Sequence, residues 1–573
     1  MKNVGLRNNV GLRNTVREFG VGSVRQWWSS LRRSGRVLRF VGLFSLCLML
    51  AVSCGGGSQS TSAGDANSPD SASGSRVTIG TTLEARTVDP ADAYELFPGI
   101  LLQNLGDRLY TYQPGTTQLV PQLATALPEV SDNGLTYTIP LRTDVKFHDG
   151  EPLNAEAVVF SLKRFMENEG RATFLLADRI ESVEASDENE ITIRLKQPFA
   201  AFPSLLAFYG TTPVSPKAYE IGAGKFKPST FVGTGPYKLA QFSPDTIRLD
   251  ANPDYWGEKP ANEGVDIQII ASAANLYNTF KTGGLDVAYQ TLDPDQIRDL
   301  VKNAESGGWQ VIEAGSNVVN YLVLNQKSKP LDNVKVRQAI AAMIDRELLN
   351  ERVFQGQAEP LYSLLSTSSA EYKPVFKDEY GDGNMEKAKQ LLAEAGISES
   401  NPLTLEIWYS SSSTKRNLVA NTIKAAVEKE MGNLVKIEPK GVEAATLFDN
   451  LDKGTYPSVL LDWYPDYFDA DTFIEPFMSC DKGSVSGGCE SGQSQTGGSF
   501  YYSEKANQLI QKQRAEQDPD ARTKQFEELQ DLLAEDVPYI PLWQDKDYVF
   551  AQADVEGVEI QPSQQFFFWQ IKK

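Results

Sequence analysis

Apolar positions along this chain recur with two periods, and the period decides what each stretch can form. Every second position is apolar in Arg76-Val-Thr-Ile-Gly-Thr, in 135–141 and in 190–195, which predicts strands. The stretch 100–109 instead spaces Ile100, Leu101, Leu105 and Leu109 as a helix does. A helix is also predicted over 154–167, with Asn154 as an N-cap whose side chain can accept from the first free N–H groups. Later helices are predicted over 334–353, 385–395, 415–431 and 518–535. Later strands are predicted at 265–270, 318–324, 403–408 and 458–462. Strands and helices alternate throughout, so the expected class is α/β with more than one sheet.

The first 53 residues follow a different rule. They hold nine Lys or Arg and one acid, Glu18, ahead of an apolar run over 40–52. Thirteen residues are short for a bilayer span and suit the apolar core of a signal peptide. Leu50-Ala51-Val52-Ser53-Cys54-Gly55 then resembles a bacterial lipobox, with Ala51 where the pattern commonly has leucine. That resemblance implies lipidation of Cys54, which would become the mature N-terminus. Residues 55–75 are almost all Gly, Ser, Thr, Ala, Asp, Asn and Gln, too polar to bury a core, and read as a flexible tether. No later run reaches 18 apolar residues.

Composition narrows the chemistry. A chain of 573 residues is longer than one core usually supports, and 41% hydrophobic with 23% charged residues is globular. Beyond residue 53 the chain carries 46 basic and 74 acidic residues, a net of −28, which argues against nucleic acid as a partner. His148 is the only histidine, so Ser-His or Cys-His catalysis would have to use it, and a zinc cluster or nickel site would lack imidazoles. Its place in Phe147-His148-Asp149-Gly150, a turn before the 154–167 helix, reads as structural. Gly-x-Ser-x-Gly is absent, and Val232-Gly-Thr-Gly-Pro lacks the Lys-Ser/Thr of a phosphate loop, so its glycines read as turn residues. Counting 74 acids leaves a carboxylate-based envelope hydrolase open. Cys480 and Cys489 are nine apart across a Gly- and Ser-rich loop, and in an exported protein this spacing favours a disulfide over free thiols.

Three segments carry a resemblance that spans nearly the whole chain after the tether. They are Val145-Lys-Phe-His-Asp-Gly-Glu-Pro-Leu-Asn through Arg164; Phe231-Val-Gly-Thr-Gly-Pro-Tyr237 with Asn252-Pro-Asp-Tyr-Trp-Gly257; and Leu324-Asn-Gln with Pro330-Leu-Asp-Asn-Val-Lys-Val-Arg-Gln-Ala-Ile340 and Ile344-Asp-Arg-Glu347. Together they resemble the peptide/nickel-type (family 5) extracellular solute-binding proteins of ABC importers, and most closely the dipeptide- and oligopeptide-binding members. The resemblance implies a hinged clamshell of the periplasmic-binding-protein fold. Lobe I would comprise 76–110, 232–320 and 540–573, with an extra subdomain at 111–231 and lobe II at 321–539. The hinge would lie near 317–325 and 537–543.

The same resemblance supplies candidate site residues. Trp463-Tyr-Pro-Asp466 is similar to a segment whose aspartate meets a peptide's α-ammonium, which puts Asp466 in that role with Trp463 beside it. Trp408 matches a strand end that walls the cleft, and Tyr94 with Glu95 match a ligand-facing segment. Dipeptide binders carry a longer carboxylate-anchoring segment after Trp408. Here Lys415 or Arg416 would have to serve. The implied function is capture of a peptide, without catalysis, cofactor or metal, for a permease and ATPase on separate chains. A sugar, chelated metal or other small solute in the same fold is the alternative. The implied setting is the periplasmic side of the bacterial envelope, as a lipid-anchored monomer.

Overall fold

The computed structural model describes residues 75–573; the signal, the Cys54 lipobox and nearly all of the tether lie outside the described residues. An eleven-stranded sheet forms the backbone of the molecule, joined by a four-stranded sheet and two hairpins. Two long antiparallel strands, Trp309–Leu324 and Tyr539–Gln552, lie in its middle, with Trp309 opposite Gln552 and Val323 opposite Tyr539. On one side follow Ser458–Trp463, Leu403–Ser410 and Val435–Val442; on the other follow Val287–Tyr289, Val77–Thr81, Gly264–Ile269, Thr246–Ala251 and Tyr237–Phe242. The result is a two-lobed α/β fold in which one sheet runs through both lobes.

Each long strand changes cores along its length. Val319 to Leu324 and Tyr539 to Trp543 pack into a core with helices such as Val334–Met343 and Thr414–Met431. The far ends, around Trp309 and Phe550, pack into the other lobe. Between them the register shifts at Gly315/Val319, so the ladder is interrupted between the two cores. The subdomain has its own core, built from Leu109 to Phe208 around the sheet of Glu129–Ser131, Thr136–Pro140, Ile180–Asp187 and Glu190–Leu195.

Most predicted elements form where the pattern puts them. Helix Ala155–Glu167 is capped by Asn154, whose Oδ1 accepts from the Ala157 N–H at 3.0 Å. The helix predicted over 334–353 is broken instead. It stops at Met343, because the Asp345 carboxylate accepts from the Leu348 N–H at 2.8 Å and starts a new turn. The helix predicted over 100–109 runs as Leu96–Leu105 and ends at Gly106.

The segments that carry the resemblance turn out to be joints. Asp107 accepts from Thr234 Oγ1 (2.7 Å), Tyr255 Oη (2.9 Å), Trp256 Nε1 (2.9 Å) and Gln122 Nε2 (2.9 Å), so two separate motifs close on one buried carboxylate. Gly235 packs so tightly against this joint that a Cβ there would meet the Leu105 carbonyl carbon at 2.4 Å. Arg164 makes a buried two-pronged pair with Asp89, both bonds 2.7 Å. His148 is structural: its Nε2 lies 3.1 Å from the Gly235 carbonyl, and burial lowers its pKa to about 4.

Candidate functional site

Two loops from distant parts of the chain meet between the lobes. One leaves strand Ser458–Trp463 and carries Tyr464 to Asp469; the other carries Tyr94 and Glu95 into helix Leu96–Leu105. The first loop is pinned from behind. Arg522 grips Asp469 with bonds of 2.7 and 2.6 Å, and Arg514 grips Asp471 with bonds of 2.9 and 2.7 Å. Burial alone would raise the Asp471 carboxyl, but Arg514 and the Tyr467 hydroxyl hold it below its ordinary value. Tyr467 then inserts its ring into the subdomain core beside Phe199, and the Phe468 N–H donates to Tyr112 Oη at 3.3 Å.

So held, the loop presents Asp466 to the opposite lobe, where Tyr94 Oη donates to its Oδ1 at 2.6 Å. Burial pushes the Asp466 carboxyl up to about 6; the Tyr94 bond and Arg179 pull it down, and Glu475 pushes it further up. Tyr94, Trp463 and Asp466 line one cavity of about 510 Å³, together with Phe174, Arg179 and Glu475. Trp463 Nε1 is buried there without a hydrogen-bond partner among the described residues. A smaller cavity of about 60 Å³ shares Asp466 and Tyr467 with the first, and shares Leu96 with a third of about 310 Å³ beside the strand crossing. A space of mixed polar and apolar lining, with the carboxylates of Asp466 and Glu475, the cations Arg179 and Arg514 and an idle indole N–H, suits a small zwitterionic ligand.

The family model for bacterial extracellular solute-binding proteins, family 5 Middle, matches residues 118–484, more than half of the chain. The chain belongs to this family. Its relatives include the peptide transport periplasmic protein SapA of Salmonella typhimurium, 27% identical over 505 residues, covering 84% of this chain and 88% of that one. They also include heme-binding protein A of Haemophilus influenzae, 29% identical over 400 residues, covering 66% of this chain and 72% of that one. Among solved structures, HbpA2 from Haemophilus parasuis matches with a TM-score of 0.74 at 25% identity, covering 87% of this chain and 99% of that one.

In this solute-binding protein the residues expected at the site separate into groups. Asp466, Trp463 and Tyr94 share a cavity. Lys415 faces the third cavity, where its Nζ donates to Asp545 at 2.8 Å. Glu95 accepts from Arg86 (3.0 Å) and Arg171 (2.7 Å), and Arg416 pairs with Asp462, so both charges are already matched within the protein. Trp408 packs its ring 5.0 Å from Tyr456 and donates to Glu406 at 2.9 Å; it does not line the Asp466 cavity. Sequence reasoning missed Arg179, Glu475 and Phe174. Glu475 follows Asp466 by nine residues in the same segment and could have been found by extending the motif. Arg179 and Phe174 sit in the subdomain with no local signal.

Proposed function

We propose that this chain captures a peptide between its lobes and delivers it to a membrane permease of the ABC type, whose permease and ATPase subunits are separate chains. The proposed division is the one implied by the family: lobe I at 76–110, 232–320 and 540–573, the subdomain at 111–231, and lobe II at 321–539. The separate cores support this division. The protein acts as a monomer on the periplasmic side of the envelope, held by a lipid on Cys54, and catalyses no reaction. In support, curated relatives such as SapA are peptide-transport periplasmic proteins.

One observation carries the peptide reading. Asp466 is a half-buried carboxylate in an interlobe cavity, met among the described residues only by a neutral hydroxyl, and a peptide's α-ammonium would complete it. Asp466→Ala would leave that cation unpaired and should cost about 2–5 kcal/mol of binding, roughly 30-fold or more in affinity. N-acetylation of the peptide should cost the unmutated protein a comparable amount. Mutation and acetylation together should cost far less than their sum, since both remove one shared interaction. Calorimetric titration of both proteins with free and acetylated peptides reads this cycle, and additive losses would remove Asp466 from the role. The second reading is a non-peptide solute in the same fold, favoured by the heme-binding relative. Native mass spectrometry of ligand retained through purification separates the two.

A further inference from the structure

The register shift between the two long strands leaves a cavity of about 310 Å³ at the crossing, lined by Tyr464, Lys415, Asp545 and Asp547 among others. Side chains two apart on a strand share a face, so Asp545 and Asp547 stand side by side, and Lys546 between them pairs with Glu313 at 2.8 Å. Asp545 is fully engaged. It accepts from Lys415 Nζ (2.8 Å), Trp543 Nε1 (3.1 Å) and Asn320 Nδ2 (3.2 Å).

Asp547 has no such partners. No hydrogen bond or ion pair reaches its carboxylate among the described residues, although the residue is half-buried and lines the cavity. Burial and then Asp545 push its carboxyl up to about 7, while Lys415 pulls it down. Lys415 is committed to Asp545 and Lys546 to Glu313, so of the three acids here Asp547 alone is left without a cation. A desolvated carboxylate is costly until a cation meets it. Leu96 lines both this cavity and the small one that Asp466 also lines, so the two spaces are neighbours with a shared wall.

We infer that the crossing cavity is a second cation subsite, in which Asp547 receives the basic side chain of a lysine or arginine near the N-terminus of the bound peptide. The inference rests on the peptide reading above. It makes the preferred ligand a basic peptide, with Asp466 taking the α-ammonium and Asp547 the side chain.

A lysine scan tests it. The purified full chain is titrated calorimetrically at neutral pH with trialanine and with the three tripeptides carrying one lysine. Norleucine replaces lysine as a control that keeps the aliphatic stem and removes the charge. At one position lysine should bind about tenfold or more tighter than norleucine, as a partly desolvated charge pair allows. In Asp547→Asn that ratio should fall to about two or less, since the amide keeps the shape without the charge. Ratios near one at all three positions, with trialanine still binding, overturn the subsite alone. A ratio unchanged in Asp547→Asn assigns the cation elsewhere and also overturns it. No binding of any peptide overturns the peptide reading and the subsite with it. The scan on the unmutated chain can overturn the subsite even where the variant does not fold.

Discussion

In the ligand-free protein Asp466 is half protonated near pH 6, because burial outweighs the bond from Tyr94 and the field of Arg179. An α-ammonium needs the ionised form, so the bound carboxyl must have the lower pKa. Binding therefore releases a proton below about pH 6, and affinity climbs with pH until the free carboxyl is already ionised. Peptide affinity should be about tenfold weaker at pH 5 than at pH 7, with Asp466→Asn flattening the profile. Titrations across that range check it; an unmutated protein with a flat profile would sink the assignment. The sign for folding is the reverse. A raised carboxyl favours the folded state below the unfolded carboxylate range, and that contribution is lost as pH rises through about 6. Glu475, raised mainly by burial in the same cavity, acts in the same direction.

At the scale of elements, the hairpin of Lys482–Ser484 and Gly488–Ser491 is closed by the Cys480–Cys489 disulfide, the pairing expected from the spacing. Both cysteines are buried, and the flanking Asp481 and Gln493 reach the Asp466 cavity. A ten-residue closed loop is worth about 2.7 kcal/mol in the chain-entropy model. Replacing both cysteines with serine should lower unfolding stability by about 2–3 kcal/mol, read from the denaturant midpoint at constant slope. An unchanged midpoint would mean that the loop is already fixed by its ladder. The capped helix Ala155–Glu167 was readable because its signals lie within a few residues of one another. The strand Tyr539–Gln552 was not readable, because its partners lie far away in the sequence, as Trp309 does from Gln552, and nothing in its own pattern names them.

At the scale of the whole molecule, two strands link the lobes and a small set of contacts holds them together. Tyr467 reaches from the second lobe's loop into the subdomain core, and the Ala200 N–H donates to the Arg514 carbonyl at 2.7 Å. A clamshell opening would draw the Tyr467 ring out of that core, so its removal should act on closure more than on unfolding. Tyr467→Ala should forfeit about 3 kcal/mol of packing, enough to shift a closed–open balance by about a hundredfold. The ligand-free variant should then show a larger radius of gyration by small-angle scattering, while Tyr467→Phe keeps the compact profile. A compact alanine variant with reduced unfolding stability would instead make Tyr467 part of one rigid body.

Sequence alone determined the α/β class, most of the helices and strands, and the family through motifs that became buried joints. These features are set by spacing, caps and segments that carry their information locally. Tertiary structure decided that Asp466 meets Tyr94, 372 positions away. It turned Glu95, Arg416 and Trp408 to partners inside the protein, and it left Asp547 without one. Whether a charge or a ring is free to meet a ligand depends on which distant groups reach it first. Local pattern does not encode that competition, because the competing groups come together only when the chain is folded.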